Sequence, residues 1–335
     1  LNYGASPLQF SYLSKGMENL VVADLRLFTE GTPQDRSRFI ETLGQAFHDI
    51  GFIIIQNHYL PADLQAALYE KVEAFFRLPD EVKARYIVPN TAGQRGYTPK
   101  NREHAKDRTV PDLKEFFHVG PEITDPEDPL YHRLPKNVWP TEVPGFREVV
   151  LEAYQKFFQT GQTLLRAIAL YLDLPEDYFD SRIRNGPSLL RLLHYYPLPP
   201  DQPIPEGATR AAEHEDINLI TLLIGASAEG LEVLTRRGSW LAPKVAPHEM
   251  VINVGDMLER LTNNYLRSTT HRVVLPPPEK RHLPRFSVPF FLHPRPEVSL
   301  ACLPSCITPS RPKAYPDITA EAFLEERLRE LGLKA

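Results

Sequence analysis

A histidine and an aspartate separated by one residue, His214-Glu215-Asp216, stand directly before an apolar run, Ile217-Asn218-Leu219-Ile220-Thr221. In an extended segment residues i and i+2 share a face, so imidazole and carboxylate converge while Glu215 points away. The pair could supply two of three metal ligands, although His-x-Asp alone is a weak signal. A third donor, His271, follows 55 residues after Asp216 and opens the strand-like run His271-Arg272-Val273-Val274-Leu275. Two imidazoles and one carboxylate on one face leave several metal positions open, which suits non-haem Fe(II) and oxygen chemistry. Zinc would usually keep a single open position. Fourteen residues past His271, Arg285-Phe286-Ser287 repeats the i, i+2 geometry. A guanidinium fork and a hydroxyl on one face could grip a carboxylate. The bland reading is a surface arginine on an edge strand, and it weakens beside a metal site. His48, His58, His104, His118, His132, His248, His282 and His293 have no partner at ligand spacing and read as ordinary surface or core histidines.

These residues need elements to position them. Residues 35–50 carry Phe39, Ile40, Leu43, Phe47 and Ile50 at helical spacing, and Gly51 ends that helix. Phe52-Ile53-Ile54-Ile55 reads as a buried strand, and residues 61–77 as a second helix. Residues 87–143 are dense in Pro, Gly, Asp and Arg and read mostly as loop, the usual place for lids and binding loops. A long helix is expected over 145–172, with a gap in its apolar stripe at Gly161. From Pro187 onward the texture changes to short strand-like runs: 188–196, 217–224, 231–235, 240–245, 250–254, 271–275 and 285–292. Turn signals such as Arg237-Gly238 and Pro276-Pro277-Pro278 separate them, which argues for a sandwich or barrel. A last helix is expected over 319–331, with Thr319 as its N-cap.

The 335 residues are 42% hydrophobic and 24% charged, enough for a substantial core and against disordered or collagen-like classes. A net charge of −5 without a concentrated basic stripe argues against nucleic acid as a partner. No apolar run approaches membrane-spanning length. The opening Leu-Asn-Tyr-Gly-Ala-Ser, which starts at Leu1 rather than Met, lacks the pattern of a signal peptide. Cys302 and Cys306 are too few for a disulfide framework and read as reduced thiols. A cytoplasmic enzyme acting on a small molecule is the expectation; nothing speaks to oligomeric state. The chain divides into a helical and mixed region over 1–186, a β core over 187–310 and a C-terminal helix over 311–335, expected to form one structural unit.

The order His-x-Asp, distal His, Arg-x-Ser resembles the isopenicillin N synthase-like family of Fe(II)/2-oxoglutarate-dependent oxygenases. So do Asn253-Val254-Gly255-Asp256, Leu261-Thr262-Asn263-Asn264 and Thr270-His271-Arg272-Val273. In the N-terminal half, Gly51-Phe52, Asn57-His58 and Phe75-Phe76-Arg77-Leu78-Pro79 fit as well, so the resemblance covers nearly the whole chain. It implies a mainly β fold with flanking helices, whose core is a double-stranded β-helix, or jelly roll. It implies Fe(II) bound by His214, Asp216 and His271, and the distal carboxylate of the co-substrate 2-oxoglutarate held by Arg285 and Ser287. A tyrosine before proline usually helps. Here that is Tyr196, before Pro197; strand alternation lets only one of Tyr195 and Tyr196 face inward, and Tyr196 is preferred. Many relatives have Asn where this chain has His194.

The implied reaction couples oxidative decarboxylation of 2-oxoglutarate to succinate and CO2 with oxidation of a small molecule by O2, with ascorbate supporting turnover in vitro. A third protein ligand at Asp216 leaves no vacancy for a halide, so hydroxylation, desaturation or ring formation remain. Tyr97 and Phe291 are candidate substrate liners, with Phe116 and Phe117 near Tyr97 in sequence. One alternative is a 2-oxoglutarate-independent oxidase of the isopenicillin N synthase type. That type uses a C-terminal Gln, and the chain ends Leu331-Gly332-Leu333-Lys334-Ala335 with no Gln nearby. A second alternative is a non-enzymatic jelly-roll binding protein.

Overall fold

The computed structural model describes residues 19–100, 102, 112–199, 204, 208–224 and 230–330. The opening hexapeptide, His104 and the last five residues lie outside these.

Among the described residues, thirteen strands build two facing sheets. They are β1 (Val22–Asp24), β2 (Phe52–Gln56), β3 (Gly96–Thr98), β4 (Glu115–Val119), β5 (Leu189–Tyr195), β6 (Ala211–His214), β7 (Ile220–Ile224), β8 (Leu231–Leu234), β9 (Trp240–Leu241), β10 (Met250–Val254), β11 (His271–Val273), β12 (Arg285–Ser287) and β13 (Pro289–Leu292). The large sheet runs β1-β2-β10-β7-β13-β5-β4-β3, with β12 also paired to β5; the small sheet runs β6-β11-β8-β9. All pairs are antiparallel except β1 with β2. This is the jelly-roll core with flanking helices.

The helices of six residues or more are α1 (Pro33–Asp49), α2 (Ala62–Phe76), α3 (Phe146–Tyr171), α4 (Asp256–Leu261) and α5 (Ala320–Glu330). Local chemistry sets their ends. Thr32 and Asp35 form a reciprocal capping box and Pro33 starts α1. Thr319 accepts from the Ala322 amide at the start of α5. Between α1 and β2 the chain turns through Gly51 at φ +74°, where a Cβ would stand 2.1 Å from the Arg267 carbonyl oxygen.

Helix α3 lies along the outer face of the large sheet. The gap at Gly161 is its contact point: a Cβ there would lie 3.0 Å from Leu292 on β13 and 3.4 Å from Leu222 on β7. Phe157 stacks on Phe290 at 5.7 Å, and Tyr154 meets the same ring edge-on. Each such aromatic taken out of water stabilises the sheet–helix sandwich by about 2–3 kcal/mol.

Two departures from the sequence reading matter for the site. The stretch expected to be mostly loop, 87–143, contributes β3 and β4, and β4 is buried along its whole length. A division at residue 186 is therefore crossed by hydrogen-bonded pairing: β4 joins β5, and β2 joins β10. The run expected over 217–224 begins as a strand only at Ile220, because the chain bends from β6 toward β7 across residues 215–219.

Candidate active site

The bend between β6 and β7 makes the candidate metal corner. His214 is the last residue of β6 in the small sheet, and Asp216 sits in the connection to β7 in the large sheet. The two converge because the chain crosses from one sheet to the other, and not because they alternate along a single strand. His271 opens β11 directly opposite His214, and the two rings lie 4.4 Å apart. Nε2 of His214 is 3.8 Å from Asp216 Oδ1, and Nε2 of His271 is 3.8 Å from Oδ2. One donor atom from each of the three residues lies within 4.8 Å of the others.

Each ligand is braced from behind. Nδ1 of His214 donates to the Ala212 carbonyl at 2.7 Å, and Nδ1 of His271 donates to the Thr269 carbonyl at 3.0 Å. Those bonds place the proton on Nδ1 and leave the Nε2 lone pairs facing the gap. Phe52 meets the His271 ring edge-on at 5.4 Å. Asp216 Oδ2 accepts from Thr221 Oγ1 at 2.6 Å and Asn253 Nδ2 at 2.8 Å. Thr221 and Asn253 are cross-strand partners on β7 and β10, so both reach the carboxylate from one place. Burial alone would raise the Asp216 carboxyl, but His271, His214 and these two hydrogen bonds together lower it and keep it anionic. The His214 pKa is lowered, by desolvation and by the His271 ring, toward the neutral form a ligand needs. Sequence reasoning passed over Thr221 and Asn253. The available signal was a polar residue inside an otherwise apolar buried strand.

The Arg-x-Ser strand faces the same interior from the large sheet. β12 pairs with β5 so that Arg285 lies opposite Tyr195, Phe286 opposite His194 and Ser287 opposite Leu193. Directly opposed residues share a face, so Arg285, Ser287 and Tyr195 stand together. The guanidinium carbon is 4.8 Å from the Tyr195 ring centre. The tyrosine beside Arg285 is thus Tyr195, whereas Tyr196 was expected. Tyr196 follows on the His194 side, with the Lys100 ammonium 5.2 Å from its ring, and burial there, with Glu115 nearby, raises its hydroxyl pKa. A small apolar cluster of Phe116, Leu193, Tyr195, Ala211 and Val273 ties this face to β6 and β11, the strands that carry the two histidine ligands. Arg285 is only 9% exposed, and its Nε and Nη1 are buried with no hydrogen-bond partner among the described residues.

A cleft of about 770 Å³ opens over His214 and Asp216. Phe291 and Phe116 line it, as does Arg191 of β5. Arg191 donates through Nε to His118 at 2.7 Å, and its guanidinium lies 4.3 Å from the Phe116 ring and 5.3 Å from the Phe291 ring. His118 and His293, which looked ordinary in sequence, are therefore cleft residues. Tyr97 also borders the cleft, but its ring packs on Phe75 and its hydroxyl donates to Glu115. Phe117 faces the opposite way, against Phe75 and Phe146 under the helices. Leu324 and Leu328 of α5 close one side.

Two family profiles match the chain. One, described as the N-terminal region of non-haem dioxygenases in morphine synthesis, covers residues 20–142; the other, the 2OG-Fe(II) oxygenase superfamily, covers 187–294. The 2-oxoglutarate-Fe(II) type oxidoreductase hxnY of Emericella nidulans is 32% identical over 295 residues, 85% of this chain and 82% of its own. The chain belongs to the 2OG-Fe(II) oxygenase superfamily. A crystal structure from Caulobacter crescentus assigned to the same family is 44% identical to this oxygenase. It superposes with a TM-score of 0.83 over 93% of this chain and 99% of that one. A full-length Neurospora crassa protein, solved in complex with alpha-KG and thymine, is 28% identical with a TM-score of 0.82, covering 94% of this chain and 98% of its own. This oxygenase is a dioxygenase that uses Fe(II), 2-oxoglutarate and O2. The donor set fits the metal: two oriented imidazole nitrogens and one anionic carboxylate. The two buried, unpartnered nitrogens of Arg285 fit a dicarboxylate co-substrate.

Proposed function

We propose that His214, Asp216 and His271 hold the Fe(II), and that Arg285 and Ser287 hold the far carboxylate of 2-oxoglutarate with Tyr195 beside them. Bound iron supplies the oxygen chemistry that couples breakdown of the keto acid to succinate and CO2 with oxidation of the second substrate. The protein's own part is orientation and exclusion of water. Thr221 and Asn253 fix the Asp216 carboxylate, the Ala212 and Thr269 carbonyls fix the two rings, and the apolar cluster around Tyr195 keeps the keto-acid end dry. The second substrate is a small molecule lying in the cleft against Phe291 and Phe116. A volume of about 770 Å³ suits such a ligand. Hydroxylation, desaturation and ring closure are all within reach of this site.

No helix among the described residues is long and apolar enough to cross a membrane. Two buried free thiols, Cys302 and Cys306, support a reducing compartment, and we place the enzyme in the cytoplasm. The net charge of −5 gives no support for a nucleic-acid partner.

The observation that carries the site assignment is the buried Arg285 guanidinium, two of whose nitrogens have no hydrogen-bond partner among the described residues, on the face it shares with Tyr195. The test is succinate release by the Fe(II)-loaded protein with O2 and ascorbate, screened across small-molecule substrates at varied 2-oxoglutarate. Succinate should form in proportion to keto acid consumed, and Arg285→Ala should lose that dependence at low 2-oxoglutarate. An enzyme that turned over at an undiminished rate without 2-oxoglutarate would overturn the assignment.

A further inference from the structure

Behind the keto-acid face, on the opposite side of β5 and β12, lies a buried ionic platform. Glu115 of β4 is 1% exposed and sits opposite His194 of β5. His194 Nδ1 donates to Glu115 Oε1 at 2.8 Å. Lys83, 2% exposed, donates to Oε2 at 2.8 Å, and the Tyr97 hydroxyl donates to the same oxygen. The imidazole is thus clamped in one orientation. Its ring stacks on Phe286 at 4.8 Å and 16°, and Phe76 closes on both rings at 5.2 and 6.4 Å.

Phe286 is the middle residue of β12, between Arg285 and Ser287. β12 is three residues long and pairs with β5 alone among the described strands. A handful of backbone dihedrals therefore decides where the guanidinium stands, with a strand on one side only. The stack on the back of the strand supplies the missing constraint. We propose that His194, locked by Glu115 and stacked on Phe286, is a positioning residue that sets Arg285 and Ser287 for the far carboxylate of 2-oxoglutarate. This rests on the assignment of Arg285 to that carboxylate.

The test compares two keto acids on the Mn(II)-loaded full chain without oxygen, with binding read by calorimetry. 2-Oxoglutarate carries the far carboxylate; 2-oxopentanoate has a methyl group in its place and the same metal-binding end. His194→Leu should weaken 2-oxoglutarate about tenfold, since a displacement of a fraction of an ångström is costly at an oriented site, and leave 2-oxopentanoate within about twofold. Phe286→Leu, which leaves the Glu115 network intact, should show the same selective loss at about threefold and guards against a misfolded first variant. Unchanged 2-oxoglutarate binding in both variants, or equal weakening of the two acids, would overturn the proposal. Arg285→Gln is the separate control: if it failed to reduce the preference for 2-oxoglutarate, the underlying assignment would fall, whatever His194 does.

Discussion

The metal corner and the keto-acid face sit on opposite sheets and are finished to different degrees. At the corner every ligand has a partner behind it: a backbone carbonyl for each imidazole, and a hydroxyl and an amide for Asp216. At the face, Arg285 is buried, yet two of its nitrogens have no hydrogen-bond partner among the described residues. A buried donor left unpaired costs about 1–3 kcal/mol, and more when it carries charge. A protein that satisfies one site fully and leaves the other short by a charged pair is arranged for a ligand bearing the missing charge. That difference is the basis for assigning a cation to the corner and an anion to the face.

The comparison can be broken at its strongest point first. Asp216→Ala removes the proposed anionic ligand and the acceptor that Thr221 and Asn253 share. Turnover should fall at least about 1,000-fold and bound iron should drop well below one per chain, by metal analysis of the purified protein. Near-parental activity with full iron would remove the corner from the mechanism. The face is tested by Arg285→Ala, which should raise the apparent KM for 2-oxoglutarate about 100-fold, as expected when one partner of a buried charge pair is lost. Arg285→Lys should recover part of this, since an ammonium cannot reproduce the two-pronged geometry. Equal losses at all keto-acid concentrations would instead point to a damaged metal corner.

Each region rests on a depressed carboxylate, Asp216 at the corner and Glu115 behind the face, and acid should reach both. Burial would raise the Glu115 carboxyl, but hydrogen bonds from His194, Lys83 and Tyr97 reverse the effect and hold it down to about 2. A carboxylate depressed from an ordinary value near 4.5 stabilises the fold above that value and loses the contribution as pH falls toward 2. The contribution is on the order of 3 kcal/mol. Glu115→Gln should therefore be less stable than the parent at pH 6 by denaturant unfolding, with the gap closing steadily between about pH 4.5 and 2.5. A gap independent of pH would refute the ionic role. The smallest effect separates the two tyrosines. Tyr195→Leu, which removes the ring beside Arg285, should raise the KM for 2-oxoglutarate about fivefold, the scale of one cation–π contact. Tyr196→Leu should stay within about twofold, and the reverse order would show that the pairing of β12 with β5 is misassigned.

The sequence by itself determined the residue types and their order along the chain. Two histidines, an aspartate and the Arg-x-Ser pair narrow the chemistry because few side-chain sets leave several metal positions open beside a carboxylate fork. The helices over 33–49, 62–76 and 146–171 and the strands around 189–195, 250–254 and 289–292 were legible because each carries an apolar pattern of the right period over enough residues. β6 was not, since Ala211-Ala212-Glu213-His214 has neither β-branched residues nor a clean alternation. β4 was hidden in a polar stretch because its first residue, Glu115, is buried through partners that come from 32 residues before it and 79 after it. The inward tyrosine was settled by the register of β12 against β5, since a one-residue change exchanges the faces of the strand. Tertiary structure alone decided that Thr221 and Asn253 meet at Asp216 and that two buried Arg285 nitrogens find no hydrogen-bond partner among the described residues. Both depend on which strands become neighbours, and pairing between segments tens of residues apart leaves no local trace in the pattern of either one.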